Sequence, residues 1–150
     1  MNAATLTAIE RLTIDHACRA LVQHAADAAD AADADQLAAL FAEDAQLRRP
    51  GGDVLTGRDA ILASYRARPA DRITRHLLIG ASIEIVSAEK ARGLSRVLLW
   101  TSSTEEACGP QGRRATRQVL GAFEDEFVKR GEAWLFAKRH ASFELYAEPA

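Results

Sequence analysis

The sequence is poor in the residues that define several common classes of protein. Two cysteines in 150 residues, Cys18 and Cys108, supply neither a disulfide framework nor the spacing of a metal site. So few cysteines are typical of a reducing compartment, and we expect a cytoplasmic protein. No apolar run approaches the roughly 18 residues of a membrane span, and the first residues lack the basic and apolar regions of a signal peptide. Neither a membrane segment nor a secretory leader is therefore expected.

The chain also has little net charge. Its formal charge is −2 at pH 7, and the 19 Lys and Arg residues are scattered rather than grouped into a basic patch. This distribution argues against a nucleic-acid partner. The hydrophobic fraction of 48% is ordinary for a globular protein, and 150 residues are enough for one buried core. A single domain over residues 1–150 is expected.

The first part of the sequence has the pattern of helices. No Gly or Pro occurs from Ala8 to Ala29. Asp33, with Gln36 three residues later, is typical of the start of a second helix. A third helix is expected between Gly57 and Pro69, since proline ends a helix. The first helix carries one apolar stripe at helical spacing, made of Cys18, Leu21, Val22, Ala25, Ala28 and Ala29. The apolar face of the second helix would be Leu37, Leu40 and Phe41.

The remainder has the pattern of β strands. A short hairpin is expected from Ala45 to Thr56, with its turn at Pro50-Gly51-Gly52. Helices followed by long strands define the α+β class, and a strongly curved antiparallel sheet packed on three helices would bury all the apolar faces. Four long strands are predicted, over Thr74 to Val86, Ala91 to Ser103, Ala115 to Lys129 and Ala133 to Tyr146.

An irregularity in the first long strand affects the placement of a histidine. His76 and Leu78 alternate onto one face, whereas Ile83 and Ile85 are one residue out of phase with them. Gly80 lies between the two pairs. A β-bulge at Gly80 would bring all four side chains onto the same concave face. The pattern therefore predicts an imidazole inside an apolar cavity.

Five segments, in this order, resemble the SnoaL-like branch of the NTF2-like superfamily. They cover nearly the whole chain, and the resemblance implies an NTF2-like (cystatin-like) cone. The segments are the helix that ends in Asp27-Ala28-Ala29-Asp30 and leads to Leu40-Phe41-Ala42-Glu43-Asp44-Ala45, then Leu55 to Ile61, Thr74 to Leu77, Leu120 to Asp125 and Ala133 to Phe136.

The scytalone dehydratase-like proteins of this family carry an Asp–His dyad. Their Asp ends the first long helix and their His lies in the strand after the third helix, so the resemblance points to Asp30 and His76. The histidine would be the general base, and the carboxylate would orient it. The resemblance implies a cofactor-free, metal-free lyase of dehydratase type, or an isomerase, acting on an apolar cyclic or aromatic small molecule. The expected binding residues are Phe41, Tyr65, Trp100, Val119, Phe123, Trp134 and Arg49.

Further polar residues are candidates for the mouth of the cavity. Arg49, Arg72 and Arg75 would supply positive charge for an enolate or phenolate oxygen, although Arg75 alternates to the face opposite His76. His140, which alternates with Trp134 and Phe136, is another candidate.

The sequence departs from the scytalone dehydratases at several positions. Ala29 stands where they have a tyrosine before the Asp, and their second histidine has no counterpart from Val119 to Gly121. Scytalone itself is therefore not the expected substrate. One alternative is a non-catalytic binding or assembly module, like the small subunit of ring-hydroxylating dioxygenases. Another is a cyclase or hydrolase that uses Asp125.

The outer face of the predicted sheet is less polar than a solvated face should be. Leu120, Ala122 and Val128 alternate with the Phe123 face and point away from the expected core. A homodimer or homotrimer is therefore expected.

Overall fold

Three helices pack against one face of a six-stranded sheet. The structure is a computed structural model that describes residues 5–148. Its helices are α1 (Ala8–Asp30), α2 (Ala34–Ala39) and α3 (Arg58–Arg66). Its strands are β1 (Phe41–Arg48), β2 (Val54–Thr56), β3 (Arg72–Ser87), β4 (Lys90–Ser103), β5 (Cys108–Gly109), β6 (Gly112–Arg113), β7 (Arg117–Arg130) and β8 (Ala133–Ala147).

The sheet is mixed and curved, and it does not close into a barrel. Its strand order is β2-β1-β8-β7-β4-β3. All neighbouring strands run antiparallel except β1 and β8, which are parallel. The α+β class is thus confirmed, but the sheet is not purely antiparallel. The difference arises because the predicted hairpin, β1–β2, joins the sheet beside the last strand.

The helix boundaries follow from local capping. Thr7 and Glu10 form a reciprocal capping box at the start of α1. The Asp33 carboxylate accepts a hydrogen bond from the Gln36 backbone N–H at 2.9 Å, which starts α2. Gly57 precedes α3 with a φ of 92°, in the left-handed region that favours glycine. The second helix is shorter than expected, because Phe41 already belongs to β1.

The core lies between α1 and the inner face of the sheet. The predicted apolar stripe of α1 packs there, and Cys18 is completely buried within it. Burial raises the pKa of the Cys18 thiol to about 12, so the thiol is a small hydrophobe and not a nucleophile. The Phe136 ring centre lies 5.0 Å from that of Phe41 and 5.5 Å from that of Phe127.

The predicted irregularity at Gly80 is confirmed. The pairing of β3 with β4 shifts between Leu78 and Gly80. Leu78, Ile83 and Ile85 all pack against the core in consequence. The bulge therefore brings the two halves of a 16-residue strand onto one inner face.

The sequence does not predict the small hairpin of β5 and β6, because each of these strands contains two residues and shows no alternation. Within residues 5–148, no helix has both the length and the hydropathy to cross a lipid bilayer.

Candidate functional site

The side chains of Asp30 and His76 are in direct contact. Asp30 is the last residue of α1, and His76 lies near the start of β3. The His76 Nδ1 and an Asp30 carboxylate oxygen are 2.5 Å apart. The His76 backbone N–H donates to the other carboxylate oxygen at 2.8 Å, and the Thr74 hydroxyl donates to the first at 3.0 Å. Three donors therefore hold one carboxylate at the end of the helix.

This arrangement fixes the tautomer of the imidazole. A carboxylate can only accept a hydrogen bond, so Nδ1 carries the proton and donates a hydrogen bond to Asp30. The lone pair of the neutral ring is then on Nε2, which has no hydrogen-bond partner among residues 5–148. The His76 side chain is 13% exposed and lies on the wall of a cavity. An unprotonated Nε2 at that wall can accept a proton from a bound molecule.

The Asp30 carboxyl stays ionised although it is partly buried. Burial alone would raise its pKa, but the hydrogen bonds from the His76 ring and backbone and from the Thr74 hydroxyl outweigh burial. The net result is a pKa below the usual range of an aspartate. The carboxylate can therefore stabilise an imidazolium when His76 accepts a proton.

The cavity beside His76 has a volume of about 360 Å³, which suits a small molecule. Part of its wall is apolar and part of it is strongly basic. The Phe123 ring centre lies 6.5 Å from that of His76, so the apolar part is next to the imidazole. The larger apolar side chains on the wall are Leu37, Leu47, Tyr65, Leu99, Phe123 and Phe143.

The structure brings only some of the expected binding residues to this cavity. Tyr65, Phe123 and Arg49 line it. Phe41 and Val119 do not line it, because they are completely packed inside the core. Trp134 packs against the edge of the core, away from the cavity.

Trp100 lies on the opposite side of the sheet from His76. Its strand neighbour Leu99 is paired with His76 and faces the cavity, whereas Trp100 is paired with Arg75 and is 41% exposed. Arg75 likewise points outward and donates to the Thr74 carbonyl at 2.6 Å, so it supplies no charge to the cavity.

Arg139, which lies on the cavity wall, forms a buried ion pair that sequence reasoning missed. The Arg139 guanidinium donates two hydrogen bonds to the Asp125 carboxylate, at 2.7 and 2.8 Å, and it lies 4.1 Å from the ring centres of Phe123 and Phe136. The two residues are directly opposite each other on β7 and β8. Both oxygens of Asp125 are thus occupied, and the carboxylate is not available as a catalytic base.

A larger depression, of about 640 Å³, lies on the outer face of the sheet and does not include the dyad. His140 lines it, with its Nδ1 3.3 Å from a Glu124 carboxylate oxygen, so His140 does not reach the inner cavity. Most of its wall consists of solvent-exposed side chains of both charges, as on an ordinary sheet surface.

The inner cavity is the better candidate for a functional site because it contains the oriented histidine. Within residues 5–148, no group of three or more His, Cys, Asp and Glu side chains has the arrangement of a metal site.

Residues 10–140 match the model of the SnoaL-like domain, and the chain belongs to this family of NTF2-like proteins. No curated protein sequence matches the chain.

Solved structures of similar fold span nearly the whole chain. One is a protein assigned as a scytalone dehydratase from Novosphingobium aromaticivorans DSM 12444, with a TM-score of 0.83, 23% identity, and coverage of 96% of this chain and 93% of that one. Another is the hexachlorocyclohexane dehydrochlorinase LinA-type3 from Novosphingobium barchaimii LL02, with a TM-score of 0.81, 20% identity, and coverage of 96% and 95%. A third, assigned as a dehydratase of the NTF2-like family from Streptomyces avermitilis, has a TM-score of 0.77, 17% identity, and coverage of 89% and 98%.

Proposed function

We propose that the protein is a cofactor-free lyase of dehydratase type, or an isomerase, in which His76 is the general base. One observation carries the proposal: the Asp30 carboxylate accepts a hydrogen bond from Nδ1 of His76. Nε2 is then the nitrogen of this cavity-wall residue that is free to accept a proton. The names of the structural relatives point the same way, since a dehydratase eliminates water and a dehydrochlorinase eliminates HCl.

In the proposed reaction, Nε2 of His76 removes a proton from a carbon next to the one that bears the leaving group. The electrons of the broken C–H bond form a C=C bond, and the leaving group departs with its own bonding pair. An isomerase would instead return the proton to a different carbon. In both reactions the Asp30 carboxylate stabilises the imidazolium, and the Thr74 hydroxyl holds that carboxylate in place.

The substrate we propose is a small cyclic or aromatic molecule with a large apolar part. Tyr65 and Phe123 offer flat apolar surfaces on the wall, and Arg49 offers positive charge. The cavity of about 360 Å³ holds one or two rings.

A non-catalytic assembly role, like that of a dioxygenase small subunit, is less well supported. Assembly does not need a partly buried carboxylate that orients a histidine whose second nitrogen is free. A hydrolase or cyclase that uses Asp125 has no support, since Arg139 binds both carboxylate oxygens.

We further propose that residues 1–150 form one domain that works in the cytoplasm as a homodimer or homotrimer. Four leucines form a row across the outer face of β3, β4, β7 and β8, because each is paired with the next. The two end members are 50% and 66% exposed. Contact with another copy would remove this apolar row from water. The row is Leu77, Leu98, Leu120 and Leu145.

A generic elimination tests the proposal without knowledge of the natural substrate. Nitrobenzisoxazole is a neutral bicyclic molecule. When a base removes its ring C–H proton, the N–O bond breaks and a coloured cyanophenolate is released. We expect the protein to accelerate this reaction, and His76→Ala to lower the rate by a factor on the order of 10² to 10⁴. Asp30→Asn should lower it less.

His140→Ala is the matched control, because His140 is an exposed histidine on the outer face of the sheet. Its rate should equal that of the unmodified protein. An equal rate for His76→Ala and the unmodified protein would contradict the proposed role of His76.

A further inference from the structure

Four arginines on the cavity wall lack a carboxylate partner. They come from separate parts of the chain: Arg49 follows β1, Arg68 follows α3, and Arg72 and Arg117 begin β3 and β7. Within residues 5–148, none of the four forms an ion pair. The fifth arginine of the wall, Arg139, differs because Asp125 neutralises it.

Aromatic rings fix the orientation of three of these guanidinium groups. Arg49 and Arg68 each lie 4.5 Å from the ring centre of Tyr65. Arg117 lies 5.1 Å from the ring centre of Tyr146. Stacking occupies the flat faces of a guanidinium and leaves its N–H edges able to donate, and Arg49 already donates from one Nη to the Ser64 hydroxyl. The Nε atoms of Arg49, Arg68 and Arg117 are buried and have no hydrogen-bond partner within the described residues.

The arginines also concentrate like charge in a partly buried space. Burial lowers the pKa of Arg68, and the positive charges of Arg49 and Arg72 lower it further, against the opposing effects of Tyr65 and Asp30. Asp30 does not neutralise the cluster by hydrogen bonding, because its oxygens are bound by His76 and Thr74. An anion between the arginines would accept hydrogen bonds from guanidinium N–H groups and relieve the repulsion.

We propose that the substrate carries an oxyanion, a carboxylate or a phosphate, which Arg49 and Arg68 bind beside Tyr65. Both groups match the fork of N–H donors of a guanidinium. The apolar part of the substrate then lies against Phe123, next to the His76 ring. This inference rests on the proposed function for the assignment of the cavity as an active site, but the binding of an anion is measured separately from catalysis.

Three probes that share one apolar ring system test this inference. Naphthoate carries a carboxylate, naphthyl phosphate carries a phosphate, and naphthamide is the neutral analogue of naphthoate. Isothermal titration calorimetry at fixed ionic strength should show at least one anion binding tenfold or more tightly than naphthamide. The anion that binds more tightly identifies the oxyanion of the substrate.

Substitutions locate the binding site. Arg68→Gln and Arg49→Gln should each weaken the preferred anion about tenfold, the contribution of a hydrogen bond to a charged group, and leave naphthamide within twofold. Arg75→Gln is the matched control, because it removes the same charge from the outer face of the sheet. Arg72 is exposed, so Arg72→Gln replaces a variant at Arg49 or Arg68 that fails to fold. It should likewise weaken the binding of the preferred anion.

The inference is overturned if all three probes bind equally, if none binds at millimolar concentration, or if Arg75→Gln weakens the anion as much as Arg68→Gln. His76→Ala distinguishes the two proposals. A variant that binds the anion normally but eliminates nitrobenzisoxazole slowly supports both. If anions bind selectively but His76→Ala does not slow elimination, the result supports the oxyanion site and contradicts the role of His76 as the general base.

Discussion

The Asp30 carboxylate binds both the ring and the backbone of His76, and so joins the end of α1 to the start of β3. A carboxylate at the C-terminal end of a helix is disfavoured by the helix dipole. The three hydrogen bonds to Asp30 offset that cost. The same contacts that orient the candidate base therefore also stabilise the fold, and the two effects can be measured separately.

The first prediction concerns the pH dependence of stability. The Asp30 pKa is lowered by folding, so its contribution is complete above the pKa of an unfolded aspartate, about 3.9, and is lost as the pH falls through the lower folded value. Asp30→Asn should reduce the free energy of unfolding at pH 7 by about 1–3 kcal/mol, because it disrupts this hydrogen-bond network. The difference between the two proteins should shrink below pH 4. Urea unfolding at pH 7 and pH 3 measures both values.

Asp27→Asn is the control for this prediction. Asp27 is an exposed residue of the same helix that accepts a hydrogen bond from the Gln23 side chain. Its substitution should change stability by less than about 0.5 kcal/mol. A loss as large as that of Asp30→Asn would show that the effect is general to the helix.

The second prediction concerns the buried pair of Asp125 and Arg139. Asp125→Ala leaves a buried guanidinium without its partner and should cost about 3–5 kcal/mol. The double variant Asp125→Ala/Arg139→Met should be more stable than Asp125→Ala alone, because no unpaired charge remains. Urea unfolding of the unmodified protein, of Asp125→Ala, of Arg139→Met and of the double variant tests this. A double variant less stable than Asp125→Ala would contradict it.

The third prediction distinguishes two glycines of the sheet. A Cβ at Gly121 would overlap with the backbone carbonyl oxygen of Ser142, whereas a Cβ at Gly80 would meet nothing within 4 Å. Gly121→Ala should therefore destabilise the protein by about 1–3 kcal/mol, as overpacking does. Gly80→Ala should be tolerated within about 0.5 kcal/mol. Thermal unfolding of both variants would contradict this account if their losses were equal.

The fourth prediction concerns the leucine row on the outer face of the sheet. Leu145→Glu should shift the protein towards the monomer, because it places a charge in the proposed contact between copies. Leu12→Glu is the control, since Leu12 is 70% exposed on α1 and does not belong to the row. Light scattering after size-exclusion chromatography measures the molar mass of each variant in solution. A monomeric unmodified protein at micromolar concentration would contradict the proposed self-association.

Local features of the fold could be predicted from the sequence. The four predicted long strands agree with the structure to within two residues at each end, because alternation and turn residues are local patterns. The bulge near Gly80 could also be predicted, since His76 and Ile83 can share a face only if the phase changes between them. The contact of Asp30 with His76 is implied by the family resemblance and not by the helix phase.

The composition of the cavity wall could not be predicted in the same way. It depends on which strands are neighbours and on their register, and a single sequence records neither. Trp100 is among the expected binding residues, but its phase is opposite to that of Leu99, which does line the cavity. Arg68 and Arg117 lie at the edges of elements, where no periodicity shows which way they face.

The protonation of the His76 ring tests the central claim most directly. Nitrogen-15 NMR of the imidazole at pH 8.5, where a histidine is ordinarily neutral, distinguishes the two tautomers. The account predicts a proton on Nδ1, shared with Asp30, and an unprotonated Nε2 towards the cavity. It also predicts that Asp30→Asn weakens this preference. A neutral ring that carries its proton on Nε2 would contradict the assignment of His76 as the base.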